Sequence, residues 1–195
     1  NIYSKIFRHD IPIQKLSDKN IKAIILSGGP SSVYDINAPK LDPKILDLNI
    51  PILGVCYGLQ VLLHNTGGKI SKGIIGEYGN ALISHTNNSI LFTDIPEKLD
   101  VWMSHTDKVE ELTDLWQPLA ISNNNIISAI AHQKKPIYAV QFHPEVTHTE
   151  YGKEILSNFL FKICHLKKNW TAENFINDTI KNIRDQVEDN EVICG

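Results

Sequence analysis

The 195 residues contain no apolar run near the roughly 20 positions that a membrane-spanning helix needs. The opening decapeptide NIYSKIFRHD has no apolar segment of the signal-peptide kind. Cysteine is scarce. Cys56, Cys164 and Cys194 are odd in number and widely spaced, which argues against a disulfide framework and for a reducing, cytosolic compartment. Neither Cys-x-x-Cys nor His-Glu-x-x-His occurs, so no zinc centre is signalled, and His143, Glu145 and His148 lack zinc-type spacing. Charge of one sign is missing too. Nineteen Lys and Arg against 22 Asp and Glu leave a net −3, which argues against a nucleic-acid-binding surface and leaves only local basic patches open. Repeats and low-complexity tracts are absent. The chain begins at Asn1 and its one methionine is Met103, so it reads as a fragment.

What is present is an ordinary globular composition, 42% hydrophobic and 21% charged, long enough for one α/β domain with a substantial core. KAIIL (22–26) reads as a short strand breaking into Ser27-Gly28-Gly29-Pro30. Asp42-Pro43 opens a helical PKILDL. IPILGV (50–55) is apolar without alternation, as buried parallel strands are. From Tyr57 the pattern turns helical, with Leu59, Leu62, Leu63 and Thr66 on one face and Gly67-Gly68 as the stop. Further strands are expected at 81–84, 89–92, 101–104, 119–122, 126–131 and 137–142. A helix is expected over 150–165, and another from Thr171, which caps it. EDNEVICG reads as the start of one more strand.

Three short stretches carry chemistry. In GVCYG, a thiol sits where strand, tight turn and helix meet. A helix N-terminus lowers a thiol's pKa, and the amide of Tyr57 faces outward beside it. Taken alone, Cys56 reads equally well as a core cysteine. In QFHPE, His143 follows an apolar strand, and Pro144 holds the backbone so that Glu145 stands on the same side, accepting from the imidazole. In SGGP, Gly28 and Gly29 admit a backbone conformation closed to other residues, and the Gly29 amide is a second oxyanion donor. Nucleophile, base, orienter and oxyanion loop each lie at a strand end.

GVCYGLQ, LSGGP and QFHPE together resemble the class I (triad) glutamine amidotransferases over nearly the whole chain. SGGPSSVYD, EYG and VWMSHTDKV narrow the likeness to the amidotransferase domain of GMP synthetases. The resemblance implies an α/β three-layer fold, with a mixed, mostly parallel sheet flanked by helices and lacking the family's first strand. It implies residues 1–166 as the glutaminase domain, and 167–195 as a linker helix and the start of a truncated ATP-pyrophosphatase (synthetase) domain. The catalytic residues map to Cys56, His143 and Glu145, and the oxyanion amides to Gly29 and Tyr57. Glutamine binding maps to Gln60, Ser104, His105, Thr106 and Asp107. Thr106 stands where the family often has glycine.

The implied activity is hydrolysis of L-glutamine to glutamate and ammonia through a γ-glutamyl thioester, the ammonia aminating XMP to GMP. No cofactor is implied for this domain; ATP and magnesium serve the synthetase domain. The implied setting is cytoplasmic, without nucleic-acid or membrane partners, and a homodimer stays open for the full-length protein. Two alternatives compete: a stand-alone γ-glutamyl cysteine hydrolase, and a non-catalytic regulatory domain in which Cys56 is a redox or structural thiol.

Overall fold

The structure, a computed structural model, describes residues 2–18, 20–86, 89–168, 170–188 and 190, with the side chains of 73–75 and 172 set aside. It divides into two compact units, residues 7–165, and residues 1–6 together with 166–195.

In the larger unit, a single turn, α1 (Ile13–Leu16), precedes β1 (Ile24–Leu26). A 3-10 turn over Pro43–Asp47 follows, with Asp42 Oδ1 capping the Lys44 amide at 3.0 Å. β2 (Ile52–Val55) leads into α2 (Tyr57–Asn65). Then come β3 (Lys69–His85), β4 (Lys98–Glu111), β5 (Trp116–Ser122), β6 (Ile127–His132), β7 (Ile137–Val140) and α3 (Gly152–Ser157). The seven strands form one sheet in the order β1-β2-β7-β6-β5-β3-β4. Only β1–β2 and β2–β7 are parallel; β7–β6, β6–β5, β5–β3 and β3–β4 are antiparallel. The sheet is therefore mixed as expected, but mostly antiparallel rather than mostly parallel.

The three layers follow from strand alternation. Leu53 and Val55 of β2 join Ala129, Ala131 and Val140, and pack against Ile155 and Phe159 on one face. Ile52, Ile130, Ile137 and Ala139 point the other way, onto Leu59, Leu62 and Leu63 of α2. These three leucines are fully buried, each worth about 1.5–3 kcal/mol of transfer free energy. Thr66 ends α2 by returning its hydroxyl to the Leu62 and Leu63 carbonyls while accepting from Trp116 Nε1 at 2.7 Å.

Three local expectations need correction. Residues 89–92 do not form a strand. Ile90–Phe92 is a 3-10 turn capped by Ser89 Oγ on the Leu91 amide, because a short apolar run carries no periodicity to tell the two apart. The helix expected at 150–165 begins at Gly152, after Tyr151 in the left-handed region (φ 55°). It then widens into a π-helical stretch, Asn158–Ile163, where the Asn158 side chain donates to the Leu91 and Thr93 carbonyls. The segment expected as helical after Pro43 is the 3-10 turn above.

In the smaller unit, α4 (Ala172–Val187) starts where Thr171 Oγ1 accepts from the Asn174 amide at 3.2 Å, as its sequence predicts. Tyr3 and Trp170 meet edge to face at 4.9 Å. The strand expected in EDNEVICG lies largely outside the described residues. Among the described residues, no helix is long and apolar enough to cross a membrane.

Candidate active site

Cys56 is the residue between β2 and α2, and the backbone strain of the turn falls on it. Its φ of 51° and ψ of −105° lie in a region that a side chain rarely enters, and a conformation of that kind costs about 1–3 kcal/mol. The flanking glycines do not take up the unusual backbone. They supply room instead. A Cβ on Gly58 would lie 2.3 Å from the Leu26 carbonyl oxygen, and one on Gly54 would lie 2.8 Å from the Gly58 carbonyl. Strand β1, strand β2 and the first turn of α2 approach this closely only because both positions lack side chains. Gly28 and Gly29 likewise have no positive φ among the described residues; a Cβ on Gly28 would stand 3.0 Å from His143 Cε1 and 3.4 Å from Cys56 Cβ.

His143 closes the site from the far end of β7. Register pairs Val55 with Val140, and the Cys56 amide donates to the Val140 carbonyl at 2.8 Å, so the segments following the two strands start side by side. His143 Nδ1 lies 2.7 Å from Glu145 Oε1, and the imidazole stands beside Cys56, the two flanking the position of a Cβ on Gly28. With Nδ1 engaged by the carboxylate, Nε2 is left for the thiol. The His143–Glu145 contact is made across a turn at Pro144–Glu145, not across extended chain as the sequence spacing suggests. The pKa of His143 is pushed up to about 9. Interaction with the neighbouring Cys56 is the largest cause; burial opposes it, and Glu145 adds its own hydrogen bond and charge.

Around the sulfur, the buried Gln141 Nε2 donates to Cys56 Sγ at 3.6 Å, and the Ser104 carbonyl lies 3.7 Å from it. Gln60, also buried, donates from Nε2 to the Asp107 carbonyl at 3.1 Å and to Gln141 Oε1 at 3.3 Å. The amide of Tyr57 is the first of α2 and has no intrahelical acceptor by position. A Cβ on Gly29 would sit 3.8 Å from Tyr57 Cβ, so the two oxyanion candidates are neighbours. The Tyr57 phenol is tied to the Pro39 carbonyl at 2.6 Å, and burial raises its pKa, with the Asp35 charge adding to it.

Residues 104–107 form part of β4 rather than a loop. Ser104 and Thr106 are exposed, and His105 and Asp107 are buried. Thr106 Oγ1 shares a 2.6 Å hydrogen bond with the Tyr78 hydroxyl. The Asp107 carboxylate accepts from Ser32 Oγ, which ties β4 to the loop after Pro30. All ten sequence-nominated residues thus lie in one region.

Sequence reasoning missed Gln141, Ser32 and Thr149. Thr149 Oγ1 donates to the His143 carbonyl at 2.6 Å and accepts from the Trp102 amide at 3.0 Å, while the His143 amide donates to the Trp102 carbonyl. Gln141 stood in the quoted QFHPE stretch, two residues before the base, and that adjacency was the available signal.

Comparison with known proteins identifies the family. The family model "Glutamine amidotransferase class-I" matches residues 1–163. The chain is 48% identical over 194 residues to the glutamine-hydrolysing GMP synthase of Caldicellulosiruptor saccharolyticus and 47% identical to that of Aquifex aeolicus. In both cases 100% of this chain is aligned but only 38% of the relative's length. Among solved structures, a provisional GMP synthase subunit from Thermoplasma acidophilum superposes with a TM-score of 0.68 at 30% identity, covering 93% of this chain and 84% of that one. A Thermotoga maritima glutamine amidotransferase shares the fold, with a TM-score of 0.65 at 19% identity over 80% of this chain and 82% of that one. The family model covers most of the chain, and the chain belongs to the class I glutamine amidotransferases.

Proposed function

We propose that the chain hydrolyses the side-chain amide of L-glutamine, as the glutaminase part of a GMP synthase. The observation that carries the reading is Cys56 at a strained strand–helix turn with His143 beside it, the imidazole held by Glu145 at 2.7 Å. In this mechanism the Cys56 thiolate attacks the amide carbon, with His143 as imidazolium beside it. The Gly29 and Tyr57 amides receive the oxyanion, each donor of this kind lowering the barrier by roughly 3–4 kcal/mol. His143 protonates departing ammonia, and a water activated by the then-neutral imidazole cleaves the γ-glutamyl thioester. Gln60 and residues 104–107 form the glutamine-binding wall.

Ammonia would then serve a synthetase part of the same full-length chain, which aminates XMP to GMP. ATP and magnesium belong to that part in this reading, and the reaction is cytoplasmic, in keeping with the unpaired thiols of Cys56 and Cys164. Support for the synthetase link comes from the two named relatives, of which this chain matches 38% of the length.

Cys56→Ala is expected to abolish ammonia release from glutamine and to prevent labelling by a glutamine-mimicking electrophile. Ammonia release at the wild-type rate from that variant would overturn the assignment.

A further inference from the structure

A second imidazole–carboxylate pair lies behind the glutamine-binding wall. Glu77 of β3 and His105 of β4 are register partners, and both are buried, at 7% and 5% exposure. Glu77 Oε1 accepts from Ser122 Oγ at 2.9 Å and from Asn124 Nδ2 at 2.8 Å. Its Oε2 lies 3.2 Å from His105 Nε2, and among the described residues neither of these two atoms makes an aligned hydrogen bond. His105 Nδ1 lies 2.8 Å from the Asp107 carbonyl.

Proton accounting constrains the pair. A carbonyl oxygen only accepts, so His105 Nδ1 carries a hydrogen. A bare Nε2 lone pair facing a carboxylate oxygen would be repulsive, and leaving both atoms unpaired in the interior would be costly. The 3.2 Å approach of the two atoms is the contact that offsets this cost. Burial holds the His105 pKa down, while the Asp107 carbonyl and Glu77 oppose that; the neighbouring His143 lowers it further.

The backbone that this pair holds is the backbone that touches the nucleophile. Ser104 offers its carbonyl to Cys56 Sγ, and Asp107 offers its carbonyl to Gln60 and its carboxylate to Ser32. We propose that Glu77 is a positioning residue for the glutaminase reaction: its carboxyl anchors His105, and His105 in turn holds the Asp107 carbonyl that orients Gln60. Ser122 and Asn124 extend the anchor to the β5–β6 turn. The proposal rests on the glutaminase reading for its kinetic consequence, though not for the anchoring itself.

The test compares Glu77→Leu with Glu77→Gln. Leucine removes the anchor at similar volume. Glutamine keeps it, since its carbonyl still accepts from Ser122 and Asn124 and its amide donates to the His105 lone pair. In Glu77→Leu the KM for glutamine is expected to rise about tenfold, the scale of one lost buried hydrogen bond, with kcat within about threefold. Amide hydrogen exchange across 101–109 is expected to accelerate about tenfold in the same variant. Glu77→Gln is expected to stay within about threefold of wild type on both readouts. Equal behaviour of the two variants, or wild-type KM and exchange in Glu77→Leu, would overturn the proposal. Should Glu77→Leu fail to fold, Asn124→Ala removes one donor from the carboxylate, and a KM unchanged from wild type in that variant would overturn it as well. A wild-type chain that releases no ammonia would sink the glutaminase reading, leaving the exchange comparison to decide the anchoring.

Discussion

Replacing Glu145 by glutamine isolates the charge of the orienting group from its shape. The amide oxygen can still accept from His143 Nδ1, so the ring keeps its place. What is lost is the negative charge beside an imidazolium. His143 stands at about 9 against an ordinary 6.5, a difference of about 3 kcal/mol at 1.36 kcal/mol per pKa unit. Cys56 is the largest cause, and Glu145 supplies the next favourable share. The Glu145 side chain is half exposed, at 52%, so solvent screens it and its charge is worth about 1 kcal/mol. The alkaline limb of kcat/KM for ammonia release, which marks loss of the imidazolium, should therefore fall from about 9 to roughly 8.

The same displacement has a stability consequence with a definite sign. A folded-state pKa above the unfolded one stabilises fully below about pH 6.5, wanes between about 6.5 and 9, and is lost above about 9. Glu145→Gln should therefore cost about 1 kcal/mol at pH 6, a fall in Tm of roughly 2–4 °C, and almost nothing at pH 10. Ammonia release from pH 6 to 10 and calorimetry at the two extremes read both effects. An alkaline limb that stays at about 9, or a Tm difference that grows with pH, would refute the reasoning.

Three more perturbations follow from the geometry. Gly58→Ala puts a methyl group 2.3 Å from the Leu26 carbonyl, and thermal unfolding should show a loss of about 1–3 kcal/mol. Thr149→Val keeps its shape but leaves the His143 carbonyl and the Trp102 amide without their hydroxyl partner; kcat should drop about tenfold, with a stability loss of about 1–3 kcal/mol by denaturant titration. Gly28→Ala adds a methyl group 3.0 Å from His143 Cε1 at an exposed-side loop, so ammonia release should fall at least tenfold while Tm changes by less than roughly 2 °C; an active Gly28→Ala would mean that the loop stands elsewhere during turnover.

The elbow and the base were legible because each couples a local pattern to a reactive side chain. Ile52–Val55 is apolar on both faces, as a strand covered by helices must be, and the cysteine follows at once. The direction of the other strands was misjudged for the same reason. The apolar runs nearest the chemistry are the parallel ones, and they outweigh the rest of the pattern. β4, by contrast, alternates buried and exposed positions along nearly its whole length, the mark of a ribbon with one wet face. Only its 101–104 core was expected as strand. β3 was harder still, since glycines and a register shift between Lys72 and Glu77 interrupt its alternation. Glu77, Ser122 and Asn124 meet across 45 and 47 positions of sequence, and no spacing rule reaches that far.

The placement of β7 explains why the scattered motifs converge. It pairs parallel with β2 on one side and antiparallel with β6 on the other, so the change of strand direction in the sheet falls at the strand that leads to the base. Parallel pairing makes β2 and β7 end at the same edge, and Val55 beside Val140 sets the following residues, Cys56 and Gln141, next to each other. That adjacency brings the Gln141 amide to the sulfur, and two residues later the chain turns His143 back over it. A slip of one residue between β2 and β7 would exchange the two faces of β7, burying Tyr138 against α2 and moving Val140 out of the other core layer. The hydrophobic pattern of four residues in each strand therefore sets the catalytic register, and the nucleophile and base inherit their alignment from the packing of their strands.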